Sequence, residues 1–266
     1  MIHPTAIIHP GAKIGPGVSI GPYTVIGEEV EVGPECEIHS HVVIEGRTKI
    51  GARNKIFPFV SIGAPPQHLK YGGEPTRVEI GDDNVIREYV TINRGTVLDK
   101  GVTKIGNGCF LMAYVHVAHD CILHDGVIMA NAATLGGHVE IGERAILGGL
   151  VAVHQFCRIG PLAFIGGASG VNKDIPPFTM ARGNPARLYG LNLVGLRRAG
   201  LRPEAIEALR QAFRILFKSS LPLKEALARV REEVSPLDEL ETLLSFIQSS
   251  QRGVARLVSK VEENDF

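Results

Sequence analysis

Of the ten histidines in this 266-residue chain, five fall within 39 residues, and four of these, His116, His119, His138 and His154, are candidates for chemistry. They stand in the segments AYVHVAHDCILHDG, LGGHVEIG and VAVHQFC, with His124 between them. Imidazole titrates near neutrality, so such a cluster suits general-base chemistry. It can take a proton from a hydroxyl or an amine as that group attacks a thioester. The oxyanion that forms needs a hydrogen-bond donor, and Gly137, having no side chain, can bring its N–H close to it. Asp120 directly follows His119 and is placed to fix a histidine tautomer. Two plainer readings compete: solvated polar residues on an outer face, or hydrogen-bonded histidines at a subunit interface. His124 is read as outward and solvated.

What positions these residues is a repeat. An aliphatic residue recurs every six positions from Ile2 through Ile8, Ile14, Ile20 and Ile26 to Ile62. It resumes at Ile80, Ile86 and Ile92, and again from Ile105 through Val117 and Leu135 to Val171. No member of the three series is polar. A period of six fits neither a helix nor a simple alternating strand. It fits short strands joined by turns and wound into a solenoid, three hexads to a coil, so that residues 18 apart stack. On that arithmetic His119, Gly137 and Gln155 form one column on three consecutive coils. His138 and His154 flank it, so three imidazoles are expected along one corner. Cys36, Cys109, Cys121 and Cys157 each lie four residues after a repeat aliphatic. That is the small inward position, and they are read as core filler.

Two segments break the register, 64–77 and 93–103, and both carry the Gly or Pro that punctuates strands. Loops ejected from a rigid scaffold are where function gathers. The solenoid is expected over residues 1–190. From 191 to 266 the period turns helical, with helices expected from Pro203, over Leu223–Val230 and Leu237–Ile247, and a last one over 251–261. Basic and acidic residues balance at 28 each, which gives no global case for nucleic-acid binding. The N-terminus, MIHPTAIIHP, has neither the basic start nor the apolar run of a signal peptide, and no stretch has the length of a membrane span. A cytoplasmic protein is expected.

The hexads resemble those of the hexapeptide-repeat acyltransferases. The segments HVAHDC, ATLGGH, AVHQFC and GGASGV, with QHLKYGGEPTR before them and GLNLVGLRRAGL after, narrow the resemblance to the UDP-N-acetylglucosamine O-acyltransferase family of lipid A synthesis. It spans essentially the whole chain. It implies an all-β left-handed parallel β-helix with a small C-terminal helical domain, assembled as a homotrimer. It implies transfer of a hydroxyacyl chain from acyl carrier protein to a UDP-amino sugar, with no cofactor and no metal. Carried over by motif, His119 matches the general base, Asp120 its acidic helper and Gly137 the oxyanion donor. His116, His138, His154 and Gln155 match substrate-site positions. Lys70, on the first loop, matches a lysine that binds the substrate, His68 lies on the same loop near the sugar, and Asn192 and Arg198 match residues around the nucleotide. Gly167 matches the position that limits acyl length, where glycine leaves room for a longer chain. The stripe Arg210, Arg214, Lys218 is a candidate surface for the acidic carrier protein, and equally an ordinary solvated helix face.

Three positions depart from the family pattern: His68 and Val194 stand where acidic residues are common, and Asn93 where histidine is. The acceptor therefore stays open between a 3-hydroxyl and a 3-amino group. A related N-acyltransferase carries an extra N-terminal domain, for which hexads beginning at Ile2 leave no room. Trimeric β-helix carbonic anhydrases hold zinc through three histidines, but a column alternating His, Gly and Gln suits substrate binding better. A non-enzymatic structural solenoid is the remaining alternative.

Overall fold

In the computed structural model, which describes residues 1–258, most hexads contribute a strand of two residues, and those at the register breaks run to three or four. His116–Val117, Ile122–Leu123 and Ile128–Met129 are three in succession. Side chains alternate along a strand, so the first residue of each pair faces outward and the repeat aliphatic faces inward. Successive strands join three different sheets, of nine, eight and ten strands among the described residues. Pairing within a sheet is parallel and 18 residues apart, as in His116↔Thr134, Ile122↔Glu140 and Ile128↔Ile146. The result is a three-sided solenoid whose axial core stacks Leu123, Met129, Leu135, Ile141 and Leu147, all within 1% of full burial. The four cysteines lie in that core as free thiols. Burial pushes Cys121 up to about 12 and Cys109 and Cys157 to about 11, so none is a thiolate near neutrality.

The corners obey a second pattern. The residue after each aliphatic approaches the next coil closely: a Cβ at Gly21 would stand 2.7 Å from the His39 carbonyl carbon. The following position holds proline at Pro10, Pro16, Pro22, Pro34, Pro58 and Pro161. The solenoid therefore asks for no N–H there. The residue after that adopts a left-handed conformation, as at Tyr23, Asp120, His138 and Phe156. The chemistry-bearing side chains sit on these corners.

The two register breaks eject loops. Arg47↔Arg77 and Ser61↔Thr91 are 30 residues apart, and Thr91↔His116 are 25 apart. The first loop replaces whole hexads and keeps the phase of six; the second does not. Both are narrower than their sequence limits, because the strands Ser61–Ala64, Arg77–Ile80, Thr91–Asn93 and Val102–Ile105 continue to their edges. Inside the lengthened coils the amide side chains stitch the layers. Asn54 Oδ1 accepts from the Asn84 N–H (3.0 Å) and Nδ2 (2.9 Å), and Asn84 Oδ1 accepts from the Cys109 N–H (2.7 Å).

The solenoid closes with an antiparallel pair, Thr179–Arg182 on Arg187–Leu191. Among the described residues four helices follow: α1 (Leu193–Arg198), α2 (Pro203–Phe213), α3 (Leu223–Glu233) and α4 (Asp238–Gln248), with a π-helical turn at Arg214–Lys218. Pro203 sits at the first turn of α2, where its missing N–H is harmless. Leu196, Leu209, Leu227 and Leu243 build a second apolar cluster against Phe178 and Leu191 of the solenoid end. The expected helix over 251–261 does not form within the described residues. Residues 251–258 instead pair by bridges with the open end of the solenoid, Asp174↔Val254 and Leu188↔Leu257. The Ala255 N–H donates to the Asp174 carbonyl at 2.9 Å, a bond that a helix would forgo. Residues 259–261 lie outside the described part. Among the described residues no helix is long and apolar enough to cross a membrane.

Candidate active site

The corner that follows the nine-stranded sheet carries His119, Gly137 and Gln155 in one turn position on consecutive coils, as the pairings His116↔Thr134↔Ala152 require. His119 Nδ1 lies 2.9 Å from Asp120 Oδ2. The Asp120 carboxylate is buried, and it also accepts the Thr96 N–H (3.0 Å) and the Thr96 hydroxyl (2.7 Å). Burial alone raises its pKa. The hydrogen bonds from His119 and Thr96, with the charge of His138, outweigh that and hold it below the ordinary carboxylate value. An ionised carboxylate only accepts, so the proton of His119 sits on Nδ1 and Nε2 keeps its lone pair.

Gly137 is shaped to the His119 ring. A Cβ there would stand 2.5 Å from Cε1 and 2.7 Å from Nε2 of His119, so only glycine lets the ring lie over this corner. Its position is the one that holds proline elsewhere, and its N–H bonds to nothing among the described residues. It is an uncommitted donor close to His119 Nε2.

Two further imidazoles touch His119. The His138 ring meets it edge-on at 5.0 Å between centroids, and the His68 ring does so at 5.4 Å. The third ring of the cluster is thus His68, from the first loop, and not His154 as the column arithmetic implies. His154 is exposed and turns its Nδ1 to the Gln155 carbonyl at 3.0 Å; Gln155 is exposed beside it. His116 lies one strand position before the corner, with Nδ1 2.7 Å from Thr91 Oγ1. Burial, then the charge of His119, lowers its pKa. Lys70 is exposed on the first loop, its N–H donating to His68 Nδ1 at 3.3 Å. Asn93 is buried at the base of that loop, donating to the Pro65 carbonyl at 2.9 Å, and its Oδ1 has no partner.

The remaining candidates lie elsewhere on the chain. Gly167 stands on the corner after the ten-stranded sheet, stacked on Gly149. Asn192 lies against the corner after the eight-stranded sheet, where Nδ2 donates to the Leu162 carbonyl (2.9 Å) while Oδ1 caps α1 through the Gly195 N–H (3.0 Å). Both ends of that amide are spent on the fold. Arg198 and Val194 are exposed on α1.

Four residues at the site escaped the sequence reading: Thr96, Asp99, Thr103 and Phe156. Thr103 Oγ1 accepts the Asp120 N–H at 2.9 Å. Asp99 Oδ2 lies 2.9 Å from His138 Nδ1, and Phe156 stacks on the His138 ring at 4.4 Å. Phe156 was legible as the residue 18 after His138. The loop residues were not, because the second break leaves the phase of six.

Ligand atoms of His119, Asp120 and His138 lie within 4.8 Å of one another, close enough to consider a metal. The oxygens of Asp120 already serve Thr96 and His119, and His138 Nδ1 serves Asp99. A cation would have to displace these bonds, so the donors fit an oriented base better than a ligand set.

Comparison with known proteins shows the family. Residues 11–46 and 102–137 match the family described as bacterial transferase hexapeptide (six repeats). Residues 174–255 match UDP N-acetylglucosamine O-acyltransferase, domain 2. The chain is 52% identical over 204 residues to the acyl-[acyl-carrier-protein]–UDP-N-acetylglucosamine O-acyltransferase of Thiobacillus denitrificans, covering 77% of this chain and 79% of that one. It resembles the crystal structure of the Moraxella catarrhalis UDP-N-acetylglucosamine O-acyltransferase, at 47% identity and TM-score 0.93, over 96% of this chain and 99% of that one. The corresponding acyltransferase of Bacteroides fragilis matches at 44% identity and TM-score 0.94, over 96% and 100%.

Proposed function

Because the chain belongs to the acyl-[acyl-carrier-protein]–UDP-N-acetylglucosamine O-acyltransferase family, which catalyses the first step of lipid A biosynthesis, we propose that His119 is the general base of that transfer. The observation that carries this reading is the Asp120–His119–Gly137 arrangement: a fixed tautomer, a free Nε2 and an uncommitted N–H beside it. Nε2 takes the proton from the sugar 3-hydroxyl as that oxygen attacks the thioester carbon of a 3-hydroxyacyl carrier protein. The Gly137 N–H receives the oxyanion. Collapse of the intermediate forms the ester and breaks the carbon–sulfur bond. The leaving thiolate takes back the proton from His119. The thioester supplies the activation, so the step as written calls on no metal and no cofactor.

The homotrimer belongs to this proposal. His119, Gly167 and Asn192 with Arg198 lie at three different corners of one chain, so a site containing all of them needs a neighbouring copy. The corner of Gly167 also bears an exposed stacked column, Tyr23, His41, Phe59, Tyr89 and Tyr114, with successive rings about 5 Å apart (4.9–5.1 Å). Apolar surface of that extent is what a second copy covers. Arg214 and Lys218 remain the basic surface offered to the acidic carrier protein, whereas Arg210 pairs with Glu207 at 3.1 Å. A cytoplasmic location goes with a nucleotide sugar and a carrier protein as substrates.

The test is purified protein with 3-hydroxyacyl carrier proteins of several lengths, offered UDP-N-acetylglucosamine and its 3-amino analogue. An alkali-labile ester on the first acceptor, made by a particle of three chains in light scattering, is expected. Exclusive amide formation on the analogue would move the acceptor to nitrogen, the reading that the departures at His68 and Asn93 leave open.

A further inference from the structure

His138 is held from three sides. Its Nδ1 lies 2.9 Å from Asp99 Oδ2, its face stacks on Phe156 at 8° between planes, and its edge meets the His119 ring at 87°. Its Nε2 stands 3.9 Å from Asp120 Oδ2, the oxygen that also holds His119. The side chain is 12% exposed, so few orientations remain to it. The contacts on its Nδ1 and on the Asp120 carboxylate come from one loop: Asp99 touches His138, and three residues earlier Thr96 touches Asp120. The loop between Asn93 and Val102 thus grips both imidazoles, one directly and one through Asp120.

We propose that Asp99 is a positioning residue whose carboxylate holds the Nδ1–H of His138, so that the ring turns Nε2 toward the transfer site beside His119. A carboxylate accepts and does not donate, so the contact selects the Nδ1-protonated form of the ring. With Nδ1 spent on the loop, Nε2 is the only nitrogen of His138 left for a substrate oxygen. Without Asp99 the ring is free to exchange tautomers and to turn about its side-chain bond, and Nε2 faces the site for only part of the time. The inference rests on the acyl-transfer reading for its effect on rate, but the tautomer stands apart from that reading.

The test joins a spectroscopic and a kinetic measurement. In protein labelled with ¹⁵N-histidine, the wild-type His138 resonances, assigned by their loss in His138→Ala, should show protonated Nδ1. Asp99→Ala should lose that preference, and Asp99→Asn, whose amide oxygen still accepts, should keep it. In acyl transfer, Asp99→Ala should lower kcat/KM by roughly tenfold to a hundredfold, the scale of a displaced contact group, with Asp99→Asn intermediate. Adding Asp99→Ala to His138→Ala should cost nothing further, since the residue acts through that ring. Unchanged ring signals in Asp99→Ala, or full additivity in the double variant, would overturn the proposal. Absence of acyl transfer in the wild type would overturn the functional reading instead and leave the ring signals to judge Asp99.

Discussion

A base is useful only while one nitrogen keeps its lone pair toward the substrate. Asp120 takes Nδ1 of His119, the proposed base, and leaves its Nε2 free, while Thr96 keeps Asp120 charged though buried. The same buried surroundings mark His116, whose pKa burial and the nearby His119 hold below the ordinary value of 6.5. The folded protein resists a proton that the unfolded chain accepts. The stability His116 contributes is therefore complete above pH 6.5 and is lost as pH falls from there through its folded value. Denaturation midpoints measured from pH 7.5 to 5 should fall in the wild type and fall less in His116→Gln. Parallel curves for the two proteins would contradict this. Asp120 acts in the same direction but only in acid below the ordinary 3.8. At this scale the residue types pointed to the candidate site. His119, Asp120 and Gly137 were legible from the spacing of six and the family motifs, because each lies on the regular part of the repeat. That His68 and not His154 completes the cluster was hidden, since its loop leaves the solenoid and returns by a path no period encodes.

Each two-residue strand is too short to be stable alone, so every coil depends on the coils above and below it. That dependence makes the inward positions readable: an aliphatic every sixth residue, with small residues such as Cys36 and Cys121 in the turns. Where the coil lengthens, polar residues replace them and must be satisfied internally. Asn54→Ala would leave the Asn84 N–H and amide without their acceptor in the core. We expect a loss of about 1–3 kcal/mol, read from the guanidinium midpoint. Its neighbour Arg53 pairs with Asp83 at 2.7 Å, but both side chains are about half exposed (49% and 53%). Arg53→Ala should therefore move the midpoint far less than Asn54→Ala does. Equal costs for the two variants would contradict this assignment of roles. The loops were legible as interruptions, and their chemistry was not. The first conceals itself by keeping the phase of six, and the second carries Thr96 and Asp99 on turns whose direction only tertiary contacts decide. At the other end, 251–258 failed as a helix because the open edge of the solenoid offers its backbone better partners.

Over the whole molecule, the solenoid acts as a rigid rack. It sets His119 and Gly137 one coil apart and leaves Gly167 and α1 on the other corners, the arrangement from which the proposed homotrimer is argued. The C-terminal helices cap the last coil and bring basic residues to its end. The number of copies is not written in the hexads, because the repeat fixes only how a chain packs on itself. The account turns on His119 as the proton acceptor within an otherwise intact assembly. His119→Ala, confirmed by light scattering and circular dichroism to keep the wild-type size and fold, should be assayed with 3-hydroxyacyl carrier protein and UDP-N-acetylglucosamine. A fall in kcat of about 10²- to 10⁴-fold, the range supplied by a positioned base, is the result this account predicts. A folded variant that turns over within a few-fold of wild type would contradict it.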